Sequence, residues 1–207
     1  MLVLGGARPN IRVSVAPGKQ AISGHVTWRC VAGDADNIQN AVLHGDTLYL
    51  LQAAGAPNRR ILPVDLRDAG SNIATAKVVV PERVDTVVSD FAVARDALYV
   101  KSMRHGLDHV ERMDYASHAL TPVPMPIAGS IYLMRTDARQ DGAVLSLEGW
   151  TVPRKVYRYD PASSKLTDTG LGALNVAEYP DVVAEESEAT RTDGRKRPAL
   201  RNPPARG

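Results

Sequence analysis

Three times along this chain a tight turn feeds an apolar strand, and an alternating strand ending in Asp follows at a nearly fixed distance. The first landmark reads His44-Gly45-Asp46-Thr47-Leu48-Tyr49-Leu50, then Ala94-Arg95-Asp96-Ala97-Leu98-Tyr99-Val100, then Gln140-Asp141-Gly142-Ala143-Val144-Leu145-Ser146. The second reads Ile61-Leu62-Pro63-Val64-Asp65-Leu66, then Val110-Glu111-Arg112-Met113-Asp114-Tyr115, then Val156-Tyr157-Arg158-Tyr159-Asp160-Pro161. Leu48 and Leu98 stand 50 residues apart and Leu98 and Leu145 47, while Asp65, Asp114 and Asp160 are separated by 49 and 46. A further strand follows each second landmark, at 76–81, at 120–126 and more weakly at 166–171.

A period of about 40–50 residues with several strands per unit is the signature of propeller blades, each a four-stranded antiparallel sheet. A single blade cannot bury both of its faces and needs a neighbour on each side. The fold class expected is therefore all-β, a partial, open β-propeller of three to four blades. A strand of an earlier blade is expected around 23–31 and the start of another after Asn175. Closed propellers have about four to eight blades, so this number makes an arc. Short runs rich in Val, Tyr and Leu bounded by Gly and Pro leave little room for helix, except for a turn near 180–188.

Composition narrows the setting. A hydrophobic content of 44% is ordinary for a globular chain, and the single cysteine, Cys30, excludes a disulfide framework or a cysteine-rich zinc site. No stretch reaches the roughly 20 apolar residues of a membrane span, and the N-terminus has no signal-peptide pattern. A soluble, cytoplasmic chain with no membrane partner is the expectation. The net charge is +2, but residues 189–207 hold six Lys or Arg against Asp193. That segment is +5 and residues 1–188 are −3. The domains read as 1–188, the partial β-propeller, and 189–207, a basic, disordered tail. The tail has no aromatic to stack on a base, so nucleic acid is not an expected partner.

Candidate chemistry is sparse. Ala128-Gly129-Ser130-Ile131 lacks the second glycine of a nucleophile elbow, so Ser130 reads as a turn serine. Cys30, in Thr27-Trp28-Arg29-Cys30-Val31, reads as a buried packing cysteine. His105 and His109 have a metal-binding spacing only if helical, and Gly106 between them argues for a strand-joining turn. Asp34-Ala35-Asp36-Asn37 begins like a calcium loop without its glycine or terminal glutamate. Asp65, Asp114 and Asp160 read as turn-forming carboxylates that accept backbone N–H groups. Trp28 and Trp150 read as blade-packing aromatics. The expected site assignment is catalytic none, cofactor-binding none and metal none.

Several strings resemble the later blades of the propeller of the prolyl oligopeptidase family. They are Ala56-Pro57-Asn58-Arg59-Arg60-Ile61, Lys77-Val78-Val79-Val80-Pro81-Glu82 and, above all, Leu147-Glu148-Gly149-Trp150-Thr151-Val152-Pro153 followed by Val156-Tyr157-Arg158-Tyr159-Asp160-Pro161. The resemblance runs from about residue 22 to residue 198. It implies a seven-bladed propeller over the mouth of an α/β-hydrolase domain, restricting access to oligopeptides that a Ser-Asp-His triad cleaves after proline. The triad lies beyond the propeller in that family, so none of its residues falls on this sequence, and peptide is a partner only of a full-length peptidase. The family leaves its last blade through Asp-Gly-Thr-x-Val-Pro. Here Asp193, Gly194 and Pro198 are kept while Arg195 and Arg197 replace Thr and Val, a departure read as a truncated or frame-shifted reading frame.

Two further functions compete with a substrate-gating propeller fragment: a stand-alone propeller-type module that binds a protein or peptide on one face of the arc, and a nucleic-acid-binding tail. The first rests on 147–161 and the Asp193-Gly194 exit. An open arc also leaves blade faces uncovered, so the isolated chain is expected to self-associate, and missing blades and a hydrolase domain are implied.

Overall fold

The computed structural model describes residues 2–4, 10–23, 25–172, 185–190, 192, 194 and 196–201. Sheet I contains β1 (Leu2–Leu4), β2 (Arg12–Val15) and β3 (Arg29–Ala32), with a six-residue helix α1 (Gly18–Ser23) between the last two. Sheet II contains β4 (Ile38–His44), β5 (Thr47–Gln52) and β6 (Arg60–Asp65). Sheet III follows with β7 (Val87–Val93), β8 (Leu98–Arg104), β9 (Leu107–Met113) and β10 (Leu120–Pro122). Sheet IV holds β11 (Gly129–Arg135), β12 (Ala143–Gly149), β13 (Lys155–Asp160) and β14 (Lys165–Gly172). A hairpin of β15 (Glu185–Thr190) and β16 (Lys196–Arg201) comes last. Every pairing between these strands is antiparallel and joins sequence neighbours, so each sheet is a meander. Among the described residues no helix is long and apolar enough to cross a membrane.

Alternation places apolar residues on both faces of the inner sheets, and three separate cores result. Val13, Val15, Val31 and Ala32 of sheet I pack on Ile38, Leu48, Leu50 and Val64 of sheet II. The opposite face of sheet II gives Tyr49, Leu51, Ile61 and Val80 to a second core with Val88, Phe91, Leu98, Val100 and Met113 of sheet III. Tyr99 and Val110, from the other face of sheet III, meet Ile131, Met134, Leu145, Leu147, Tyr157 and Tyr159 of sheet IV. Each such side chain taken fully out of water contributes about 1.5–3 kcal/mol. The molecule is a file of four sheets held face to face, an open propeller arc.

The structure corrects several sequence-based expectations. Leu48 pairs with Val64, Leu98 with Met113, and Ala143 with Tyr159. The repeat equivalent of Leu98 is thus Ala143 rather than Leu145, because β12 begins directly after the Gln140-Asp141-Gly142 turn. The expected strand at 76–81 shrinks to a bridge between Val80 and Ile61. Pro63 on β6 offers no N–H to an outer neighbour, and Pro81 closes the segment. The strand expected more weakly at 166–171 is present as β14, at eight residues the longest among the described residues. Of the strand expected at 23–31, Arg29–Val31 is extended as part of β3, while Ser23 ends the helix α1. The turn of helix expected at 180–188 is not found at Glu185–Glu188, which belong to β15, and 180–184 lie outside the described residues. β16 falls within 189–207, and its hairpin with β15 spans residue 188. Its registry sets Glu185 opposite Arg201.

Candidate functional site

The residues singled out in the sequence are placed as follows. Ser130 is the second residue of β11, exposed and paired with Glu148, and not a turn serine. Its neighbour must be glycine, because a Cβ on Gly129 would sit 2.1 Å from the Glu148 carbonyl oxygen. Cys30 is exposed, not buried, with Sγ 3.6 Å from the Ala32 oxygen. Val31 and Ala32 take the positions facing sheet II and leave Cys30 on the face turned away from the arc. Trp28 and Trp150 are also exposed, at 45% and 63%, so neither packs a blade interior. Trp28 precedes β3, and Trp150 lies in the turn after β12.

His105 and Gly106 form the two-residue loop of the β8–β9 hairpin with φ of 52° and 86°, as the glycine suggested. His109 lies on β9, so the two histidines do not share a helix face. Asp34–Asp36 is a short 3-10 turn closed by Asn37 in the left-handed region; the Asp36 carboxylate accepts the Gly33 N–H and Asp34 pairs with Arg12. The three repeated aspartates each close a turn. Asp65 accepts the Arg67 N–H, Asp114 those of Ala116 and Ser117, and Asp160 that of Ala162. Hydrogen bonds from the Arg67 side chain and then its backbone N–H hold the Asp65 carboxyl down at about 2.

What the arc repeats, and sequence reasoning missed, is the way one sheet grips the next. The innermost strands β4, β7 and β11 each slip register between Ile38 and Asn40, Val88 and Asp90, and Ile131 and Leu133. Ile38, Val88 and Ile131 pair with Gln52, Ser102 and Leu147, so the bulge recurs at one position. A bulge turns backbone groups away from the strand's own ladder. The preceding sheet satisfies them. The Val88 N–H donates to the Asn58 oxygen at 3.0 Å, and Arg59 Nη1 donates to the Val88 carbonyl at 3.0 Å. At the next joint the Ile131 N–H donates to Asp108 Oδ2 at 2.8 Å, and Lys101 Nζ donates to the Ile131 carbonyl at 2.5 Å. Lys101 and Asp108, 3.1 Å apart and largely buried, also pair with each other.

A second grip sits at the opposite end of sheet III. Asp96 accepts the Gly142 N–H of sheet IV on Oδ1 at 2.9 Å, and Arg112 Nε at 2.8 Å and the Tyr99 hydroxyl at 3.0 Å on Oδ2. Burial, and then the Asp96 charge, push the Tyr99 phenol far up. Asp46, Asp96 and Asp141 each stand two residues before Leu48, Leu98 and Ala143, an equivalence that the strand pairing reveals and that the sequence landmark, one residue out of phase in its third copy, hides. These groups join sheets. None is arranged as a nucleophile beside a base.

Meander sheets stacked face to face, with a recurring bulge on the innermost strand, define an arc of β-propeller blades. Residues 14–169, about three quarters of the chain, match the family model described as prolyl oligopeptidase, N-terminal beta-propeller domain, and the chain belongs to that family. No curated protein matches it in sequence. Among solved structures it resembles prolyl oligopeptidase B from Galerina marginata, with a TM-score of 0.79 at 20% identity over 94% of this chain and 28% of that one. It resembles a structure from a study of two prolyl endopeptidases at 0.74 and 19%, over 93% and 27%. Oligopeptidase B from Leishmania major gives 0.70 at 18%, over 93% and 28%. At such identities the likeness is one of fold, and the chain spans little more than a quarter of the length of these proteins.

Proposed function

We propose that this chain acts as a substrate-gating part of the propeller of a prolyl oligopeptidase-like serine endopeptidase. The observation that supports this reading is the family match across 14–169, which takes in parts of all four sheets. In this reading the arc helps to restrict access to oligopeptides, while nucleophile, base and acid come from a hydrolase domain and not from these residues. The chain binds no cofactor or metal, and 189–207 has no nucleic-acid role. Alone, it associates through the uncovered sheets at its two ends.

Purified chain incubated with a chromogenic proline-containing peptide and with a serine-directed fluorophosphonate should neither cleave the first nor react with the second. Labelling at any serine would overturn the assignment. The DNA flanking the reading frame separates gating from a stand-alone binding module: an α/β-hydrolase coding region downstream, in or out of phase, supports gating, and relatives that end at the last blade support the module.

A further inference from the structure

The face of sheet III that receives sheet II ends in a polar cleft. Ser102 stands opposite His109 and Val100 opposite Glu111, so alternation puts Ser102, Arg104, His109 and Glu111 on one face of β8 and β9, beyond the apolar side chains of Leu98 and Val100. Arg83 and Thr86, just ahead of β7, come in from the side, and a cleft of about 200 Å³ lies between, with Pro122 on one wall. It is short of acceptors. Ser102 is 1% exposed, and its hydroxyl has no hydrogen-bond partner among the described residues. Arg104 and His109 likewise make no hydrogen bond or ion pair among the described residues. The Arg83 guanidinium donates to Glu111 through Nη1 at 3.0 Å and Nη2 at 2.5 Å, while its Nε is buried with no acceptor. A buried donor left unmet costs stability that an entering acceptor recovers. Glu111 balances Arg83, which leaves Arg104 as the unpaired charge of the cleft. The Asp85 carboxyl, held down first by the Thr86 hydroxyl and then more weakly by Arg104, stands outside the lining.

We propose that this cleft binds a small monocarboxylate, whose oxygens accept from Arg104, His109 and the Ser102 hydroxyl while its short apolar body lies against Pro122. One negative charge balances Arg104. A phosphate dianion would bring a second charge toward Glu111 and Asp85, with no cation left to meet it. The carboxylate can belong to a free acid or to the C-terminus of a peptide, and the same donors serve either. The site is independent of peptidase gating, because one face of sheet III and the segment before β7 carry it entirely.

The test titrates the full chain with isovalerate and with N-acetylvaline, and with isovaleramide and inorganic phosphate as counter-probes. Proton NMR follows the five histidines, the His109 signal being assigned by its loss in His109→Gln. At least one carboxylate should saturate with a millimolar constant, as befits a ligand of about ten non-hydrogen atoms, and should move the His109 signal. Tighter binding of isovalerate marks a free acid, and tighter binding of N-acetylvaline a peptide end. Arg104→Gln should weaken binding at least about tenfold and Ser102→Ala about threefold or more, with the circular dichroism unchanged. Arg139→Gln, an exposed change in the turn before β12, should leave binding as it is. Equal binding of the amide, phosphate binding tighter than either carboxylate, a His109 signal that stays put throughout, or undiminished binding by Arg104→Gln would each overturn the proposal.

Discussion

Replacing Asp96 by alanine tests whether a side-chain clasp or apolar contact alone holds sheets III and IV together. The carboxylate is 11% exposed and the Arg112 side chain 25%, so water screens the pair little. Its removal strands the Arg112 guanidinium, the fully buried Tyr99 hydroxyl and the Gly142 N–H together. Breaking a buried pair from one side costs about 3–5 kcal/mol. Arg112 Nη2 keeps the Asp96 carbonyl at 3.1 Å, which places the expectation near the lower end, about 3 kcal/mol. Against a domain stability of about 5–15 kcal/mol this is a large fraction. Urea unfolding followed by far-UV circular dichroism, with the slope compared between variants, reads it. Asp96→Ala with Arg112→Leu should recover about half, because an apolar replacement of both partners leaves no orphaned charge. A loss below about 1 kcal/mol in the single variant, or a double variant no more stable than the single, would refute the reasoning.

Acid should weaken the repeat's turns in a defined window. Asp65 falls from its ordinary 3.8 to about 2 on folding, so its contribution is full above about 4 and disappears as pH drops toward 2; Asp65→Asn should flatten that part of a stability-against-pH curve. In an alkaline spectrophotometric titration, Tyr99 and Tyr115, both raised chiefly by burial, should ionise well above the ordinary tyrosine range, and ionisation of either within that range would show its site to be wet. Trp28 and Trp150 should both be quenched by acrylamide in the folded chain, and a protected tryptophan would contradict their exposure. Gly129→Ala should destabilise the β11–β12 pairing by at least about 1 kcal/mol, visible in urea midpoint, because the added carbon meets backbone and not a movable side chain.

The strands that were legible in the sequence are the second and third of each sheet, where alternation is unbroken and a turn precedes it. The innermost strands were not, and the bulge is the reason. On β7 the buried residues Val88, Phe91 and Val93 are spaced three and then two, and on β11 Ile131 and Met134 are spaced three. A slip of one residue reverses the face of everything after it, so a search for period two finds no strand. Cys30 and the tryptophans were misplaced for a related reason. Residue type says that Cys and Trp like the interior, but a position on the outward phase of β3 or in a turn past β12 decides against it. The aspartates were read correctly because their bonds are local, within three residues, and need no knowledge of the neighbouring sheet.

The joints along the arc are built from changing materials on a constant frame. Tyr49, Leu51 and Ile61 make the forward face of sheet II almost wholly apolar. On sheet III, Lys101 replaces the leucine and Asp108 and Asp96 bring carboxylates to the seam. On sheet IV the same positions read Val144, Ser146 and Val156, flanked by Arg154 and Arg158. Apolar contact tolerates small slides between faces, whereas a carboxylate that accepts one particular N–H does not. Side chains fix the registry at both seams: between III and IV through Asp108 on the Ile131 N–H and Asp96 on the Gly142 N–H, and between II and III through Arg59 on the Val88 carbonyl and Asn40 Nδ2 on Asp90 Oδ1 at 2.7 Å. Because the bulge presents the same N–H and carbonyl at both of these joints, a backbone carbonyl and a guanidinium do at one what a carboxylate and an ammonium do at the next.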